Sequence, residues 1–425
     1  MLLRYCIKKI LICNYFKMGR LFVMEFYYDE TFHDKKIREN ALGQLNTNSD
    51  NSNDMFIYSI LGFSNYKKVE SDYLKLEGSI KKSLGLGIND ELKSTTFNKK
   101  NFKYGLKSMN KQCKDFYTKF LNMLVDNNGI FQVGMLSKTE YVLTQLFESM
   151  KVPAIFGVKT EAFIYSLTKF IDRHRLDYLF DEAFKQNANN GRNFKDKVIE
   201  LLEKVLDKII GVSREESEVK ALKQDIEILK YSIVANTVKY NEDWDYSMIA
   251  EGVKKRLIEL NLEDSLINID IEQSTYYAFT KTGINSIQLD SKTSPGVRMT
   301  DMFLGFIGRI VASMGQALSD PIIKDINKIK REDYVQKRLL PNIWFDVDED
   351  TYNLYKKLGN YFASKEYWST YTMYYFDSCL LFFSLFNYFN QYGTYEEFIK
   401  NKDMHKEYFN TFCCNQLQDR FSKMK

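Results

Sequence analysis

The sequence predicts an α/β fold, and three observations carry that expectation. Short apolar runs rich in aromatic and β-branched residues stand at Leu21–Tyr28, Met55–Phe63, Ile130–Leu136, Leu266–Gln273 and Ser286–Asp290. They have few polar interruptions, as in a sheet covered on both faces. Between and after them run longer segments whose apolar residues recur at three- and four-residue steps, the spacing of helices. Only four prolines occur in 425 residues, so those helices can be long. A chain of this length exceeds what one hydrophobic core usually organises, which calls for two or three packed units.

Each element follows from its residues. Residues 1–23 are basic and apolar, but the run ILICNYF is too short to span a bilayer and no small-residue cleavage site follows. With Met18 and Met24 as alternative starts, they read as a leader that need not belong to the native chain. The first strand, LFVMEFYY, ends at two adjacent carboxylates, Asp29 and Glu30, and a loop rich in Asn, Ser and Asp leads to the second strand. A charged helical segment then carries the chain to ELKSTTF, Glu91–Phe97, expected as a third strand. A helix over Asn110–Val125 stops at the turn DNNG, and the strand IFQVGML follows. SKTE at Ser137–Glu140 then has the capping-box form that opens another helix.

Beyond Pro153 the pattern turns helical. Val198, Leu201, Leu202, Val205 and Ile209 share one face, with Gly211 where the helix would end. SREE at Ser213 is a second capping box, ahead of Val219, Leu222, Ile226, Leu229 and Ile233. This helical hairpin places a helical insertion at residues 151–261, within a core formed by residues 24–150 and 262–320. After the last strand, the loop SKTSPG leads into a helix running towards Pro321. Residues 321–425 form a helical C-terminal region dense in aromatics, and its interleaved Asn, Ser, Thr and Lys argue against a membrane span. Core packing, self-association or docking of a partner protein suits these aromatics better than a base-stacking surface.

Composition excludes several classes. A chain 44% hydrophobic and 27% charged is globular rather than disordered. A net charge of +4 gives little general attraction to nucleic acid, so only a local patch could supply it. No phosphate-binding P-loop, dinucleotide fingerprint or nucleophile elbow occurs. Six cysteines without C-x-x-C spacing, including adjacent Cys413 and Cys414, suit a reducing, cytoplasmic compartment. Three histidines, His33, His174 and His405, are too few for a His-rich metal site. Any metal would be held by oxygen ligands, which favours Mg²⁺ or Mn²⁺.

What remains is a series of acids at the ends of elements: Asp29 and Glu30, Glu91, Asp270 with Glu272, and Asp301. Two-metal phosphoryl transfer needs three or four carboxylates from separate elements. Taken singly, each acid is an ordinary solvated or helix-capping residue. The segments around them resemble a known family. YYDET resembles the opening DES of the bacterial proteins grouped as domain of unknown function 3800, ELKSTTF looks like their Glu-x-Lys segment, and DSKTSPGVRMTDMFLG is similar to their closing Ser-Lys-x-Ser-Pro motif with its buried Asp. The three motifs occur in the family's order and together cover about Met24–Val125 and Leu266–Met314.

The resemblance implies a ribonuclease H-like fold, a mixed sheet flanked by helices, and metal-dependent cleavage of DNA or RNA. By motif, Asp29 and Glu30 match the opening pair, Glu91 and Lys93 the middle segment, and Ser291, Lys292 and Asp301 the last. Asp270 rests only on its place in a strand. Thr31 replaces the usual Ser, Phe32 stands where Gly is common, Arg298 takes the usual Gln position, and Thr300 replaces Ala. The expected roles are metal binding by Asp29, Glu91, Asp270 and Asp301, and neutralisation of a phosphate by Lys93 and Lys292. Ser291 and Arg298 would bind substrate, with Arg298 gripping a phosphate bidentately. Plainer readings stand beside these: an ion pair of Lys93 with Glu91 or Asp29, a solvated loop lysine at 292, and a fold-supporting carboxylate at Glu30.

The functional expectation is an Mg²⁺- or Mn²⁺-dependent nuclease. Family habit suggests a role in anti-phage defence or a mobile element, and the composition, rich in Lys, Asn, Ile and Tyr, looks like that of a low-GC bacterium. The alternative is a non-catalytic ribonuclease H-like module that binds nucleic acid or a partner protein, which the near-neutral charge favours.

Overall fold

A computed structural model describes residues 24–31, 54–147, 150–174, 191–233, 244–318, 330–335, 338–365, 368–370, 374 and 376–423. The expected leader, most of the loop after the first strand, and Cys6, Cys13 and His33 lie outside them. The described chain is an α/β fold built on a mixed sheet flanked by helices.

Strand β1 (Glu25–Thr31) pairs antiparallel with β2 (Met55–Gly62), which pairs antiparallel with β4 (Ile130–Ser137). A short strand, β3 (Lys103–Leu106), stands outside this sheet. On the other side of β1 lie β5 (Leu266–Asp270) and then β6 (Ser286–Leu289), both parallel. The edge strand β7 (Trp368–Thr370) is parallel to β4 and completes the order β6-β5-β1-β2-β4-β7.

Side-chain alternation divides the interior into two apolar clusters. Phe26, Tyr28, Phe56, Tyr58, Ile60, Ile267 and Ile269 face one side of the sheet. That side is covered by α3 (Lys138–Leu146), α4 (Thr160–Arg173), α5 (Gly191–Ile209), α6 (Glu216–Tyr231), α7 (Tyr246–Leu260) and α8 (Gln273–Thr282). Ile57, Leu61, Phe131, Val133 and Met135 face the other side. There they meet α1 (Tyr66–Leu84), α2 (Lys111–Asp126), α9 (Pro295–Leu318), α10 (Glu349–Lys365) and α11 (Phe376–Tyr388), followed by α12 (Tyr395–Ile399) and α13 (His405–Lys423). Strand β2, at the centre, is therefore buried along its whole length. Residues 151–261 supply much of one covering layer, and the aromatic C-terminal residues much of the other. Tyr355 stacks on Phe389 at 4.2 Å, both fully buried, so these rings are core. No helix among the described residues is long and apolar enough to cross a membrane.

Local chemistry explains the boundaries. Asn110 caps α2 by accepting from the Cys113 N–H, and Ser137 caps α3 by accepting from Glu140. Gly134 faces Tyr58, whose ring lies where a Cβ would be, 2.0 Å away, so the β2–β4 pair needs glycine there.

Three expectations change. Glu91–Phe97 is not a strand but a coil with a 3₁₀ turn at Ser94–Thr96, because Ser94 bonds to helix α9 instead of a sheet neighbour. The expected cap at Ser213 forms a 3₁₀ turn with no side-chain cap, and Glu215 is instead buried in a bidentate pair with Arg173, at 2.8 and 2.9 Å. The aromatic C-terminal region is not wholly helical, since Trp368–Thr370 extends the sheet.

The two described histidines belong to the core. His174 Nδ1 lies 2.9 Å from the Tyr334 hydroxyl, and His405 sits between the Tyr388 hydroxyl at 2.8 Å and the Phe398 carbonyl at 3.0 Å. Burial, helped by the charge of Arg173, lowers the His174 pKa to about 3, and burial lowers that of His405 to about 4. The unfolded chain protonates both near 6.5, so between that pH and the folded values it binds more protons than the fold. Stability should therefore fall as pH drops through that window. His174→Phe should lessen the drop in melting temperature between pH 7 and pH 5; an equal drop in wild type and variant would contradict this.

Candidate active site

Strand register sets the first two acids. Tyr28 lies beside Ile269 in the parallel β1–β5 pair, so the next residues, Asp29 and Asp270, fall level and share a face of strands about 4.8 Å apart. Helix α9 packs across that face. Its Thr300 hydroxyl donates to the Tyr27 carbonyl at 3.3 Å, and Gly296 sits against the Tyr27 ring. Asp301 follows and comes to lie beside Asp29.

Asp301 is held from the opposite side by the coil that the sequence suggested as a strand. The Ser94 N–H donates to Oδ2 at 2.6 Å and the Ser94 hydroxyl to Oδ1 at 2.8 Å. This approach requires Gly305, one turn along the same face, since a Cβ there would lie 2.2 Å from the Ser94 Cβ. Gly305→Ala should cost about 1–3 kcal/mol by displacing the coil. Urea denaturation would measure it, and a loss under about half a kcal/mol would show the contact to be slack.

The electrostatics follow from this packing. Burial, and then the facing charge of Asp301, hold the Asp29 carboxyl well above its usual range, with Asp270 and Glu30 adding to the effect. Its Oδ1 accepts from the Glu30 N–H at 2.8 Å. Burial also raises the Asp301 pKa, although the Ser94 bonds and the charges of Arg309 and Lys93 pull it back. Arg309, two turns along α9, is buried with its guanidinium 5.0 Å from the Phe102 ring centre. Asp270 Oδ1 accepts from the Ile271 and Ser291 N–H groups at 2.9 and 3.2 Å, which fixes it at the strand end.

The other expected site residues divide. Glu91 lies 3.3 Å from Lys93, the plainer of the two readings for this lysine. Partial burial opposes the Lys93 charge, but Glu91, Asp301 and Asp270 outweigh it and raise its pKa; the side chain is 57% exposed, so a ligand can reach it. Glu30 points to the opposite face, where Tyr28, Tyr246 and Thr275 hydroxyls donate to it at 2.7, 3.4 and 3.3 Å, so it supports the fold. Ser291 lines the loop through its backbone, and Lys292 is an exposed loop lysine whose N–H bonds to Asp290 at 2.9 Å.

Arg298 departs most from expectation. Its Nε and Nη2 grip the buried Glu77 of α1 at 2.7 and 2.8 Å, and Nη1 donates to the Ser291 and Lys292 carbonyls at 2.7 and 3.0 Å. Four of its five N–H groups are thus engaged, and bidentate capture of a phosphate is not open to it.

No three His, Cys, Asp or Glu side chains among the described residues stand close enough to hold a metal ion as a preformed cage, so the four-carboxylate set is not assembled. Sequence reasoning missed Ser94, Gly305, Arg309 and Glu77. Only Gly305 left a signal, a glycine four residues after Asp301 on an otherwise apolar helix.

Comparison with protein-family models, with curated proteins and with solved structures found no match.

Proposed function

We propose that the chain is an Mg²⁺- or Mn²⁺-dependent nuclease with a ribonuclease H-like core. The observation that carries this reading is the meeting of two half-buried carboxylates, Asp29 and Asp301, on one face of the sheet with Asp270 level beside them. Like charges brought together under cover are costly without a cation, and oxygen donors of this kind fit a hard divalent ion. Mg²⁺ commonly binds through one or two carboxylates and takes its remaining ligands from water and substrate phosphates. A two-carboxylate anchor is therefore chemically sufficient without a preformed cage. The three motifs in their order and the mixed, helix-flanked sheet agree with the family resemblance.

In this reading Asp29 and Asp301 would hold the ion, water and substrate phosphates would complete its coordination, and Asp270, level with Asp29, would add negative charge beside the site. Bound there, it would neutralise charge on a phosphodiester and lower the pKa of an attacking water. Ser94 fixes both oxygens of Asp301, so this ligand does not rotate away when substrate arrives. Lys93 is placed to neutralise a phosphate oxygen, while Glu91 orients Lys93. Arg298 positions the loop that carries Ser291 and so steadies Asp270.

The non-catalytic reading draws on Glu91 being paired with Lys93 instead of facing the acids. A cleavage assay on single- and double-stranded DNA and RNA separates the two. Metal-dependent cleavage that disappears in Asp301→Asn is expected; nucleic-acid binding with no cleavage of any substrate in Mg²⁺ or Mn²⁺ would overturn the nuclease reading.

A further inference from the structure

The chain is nearly neutral overall, but one stretch is not. Between Lys81 and Lys114 stand nine lysines and two acids, a net charge of +7, whereas the whole chain carries +4. The stretch includes Ser94, which bonds to Asp301. Its Leu92, Phe97, Phe102 and Leu106 are buried, while Lys93, Lys99, Lys100 and Lys103 between them are exposed. The coil is thus amphipathic, anchored inward by its apolar residues and basic outward. Lys107 and Lys114 pair with Asp346 and Asp348, whereas Lys99, Lys100 and Lys103 have no acidic partner among the described residues. Gln112 donates to the Ser83 carbonyl at 2.9 Å, which brings the neighbouring exposed Lys82 and Lys111 to the same end of the strip.

The strip has a direction. It starts where Ser94 meets Asp301 and reaches Phe102, over which Arg309 lies. Asp301 and Arg309 are eight residues apart on α9, about 12 Å of helix. That length matches roughly three or four phosphates of one strand at ~3.4 Å each. Cations without acidic partners repel one another, and a polyanion laid along them relieves that repulsion.

We propose that this lysine strip is the track for the sugar–phosphate backbone of a nucleic acid whose reacting phosphate lies at the acidic pair. The second half of that statement rests on the nuclease reading; the track itself is a claim about binding and is tested without cleavage. The full chain, in EDTA, is titrated against short end-labelled single- and double-stranded DNA and RNA between about 50 and about 200 mM salt. The variant Lys99→Gln/Lys100→Gln/Lys103→Gln should bind at least tenfold more weakly at low salt, and its plot of log affinity against log salt should be shallower by about 2–3. A control, Lys400→Gln/Lys402→Gln/Lys406→Gln, removes equal charge from exposed lysines elsewhere and should bind as wild type does. The form of nucleic acid that shows the strip-dependent loss identifies the substrate backbone. Equal binding by strip variant and wild type, or an equal loss in the control, overturns the track. So does a wild type that binds anionic phosphatidylserine vesicles but no nucleic acid. Strip-dependent binding without cleavage in Mg²⁺ would remove the nuclease reading and keep the track; cleavage unaffected in the strip variant would do the reverse.

Discussion

Asp29→Asn is expected to make the metal-free protein more stable while removing its activity. The substitution keeps the shape and the bond from the Glu30 N–H but deletes a half-buried charge that faces Asp301. Residues that serve chemistry at a cost to the fold give this response, whereas a purely structural aspartate would give the opposite. The melting temperature without metal should rise, by roughly 1 °C for each kcal/mol relieved in a chain of 425 residues. Mg²⁺ should then raise the melting temperature of the wild type and not of the variant, because an ion stabilises only the state that binds it. Cleavage should fall by about a thousandfold, in line with the several kcal/mol that a metal ion supplies. A variant that melts lower than wild type in EDTA would place Asp29 in a supporting role.

Arg298→Leu should cost about 3–5 kcal/mol, because it leaves Glu77 buried near the acidic site without its main counter-charge. Both residues are almost fully buried, at 7% and 3% side-chain exposure, and among the described residues the only other cation beside Glu77 is Lys81 at 3.6 Å. The double variant Glu77→Leu/Arg298→Leu should recover much of the loss, since a buried pair replaced together by apolar residues is often neutral. Urea denaturation of the two single variants and the double variant measures the coupling. A single-variant cost below about 1 kcal/mol, with cleavage lost, would mean that Arg298 contacts substrate instead of holding the fold.

Parts of this architecture were legible in the residues, and the failures have physical causes. Runs such as Met55–Gly62 are visible because a central strand buried on both faces must be apolar throughout. Asn110 and Ser137 mark helix starts because their side chains satisfy N–H groups the helix itself cannot. Glu91–Phe97 misled because Leu92 and Ser94 are buried on either side of exposed Lys93, the alternation of a strand, although the partner is a helix. Trp368–Thr370 is three residues inside an aromatic run and leaves no period to detect.

At the site, Asp29 and Asp301 stood in motifs. Asp270 was legible only as the end of a strand, and the parallel register that sets it level with Asp29 is a property of the sheet, not of either segment. The role of Arg298 could not be read at all, since its partner Glu77 lies 221 positions away on a helix whose placement no local pattern reveals. The basic strip was hidden for a different reason: acids elsewhere in the chain cancel it in the net charge.

The most direct test is calorimetric titration of Mn²⁺ into the full chain, alone and with a short oligonucleotide present, for wild type, Asp29→Asn and Asp301→Asn. Saturable binding by the wild type is expected, strengthened by the oligonucleotide as its phosphates complete the coordination, and none in either variant. A folded wild type that shows no saturable binding even with nucleic acid present, or variants that bind as wild type does, would contradict the metal site.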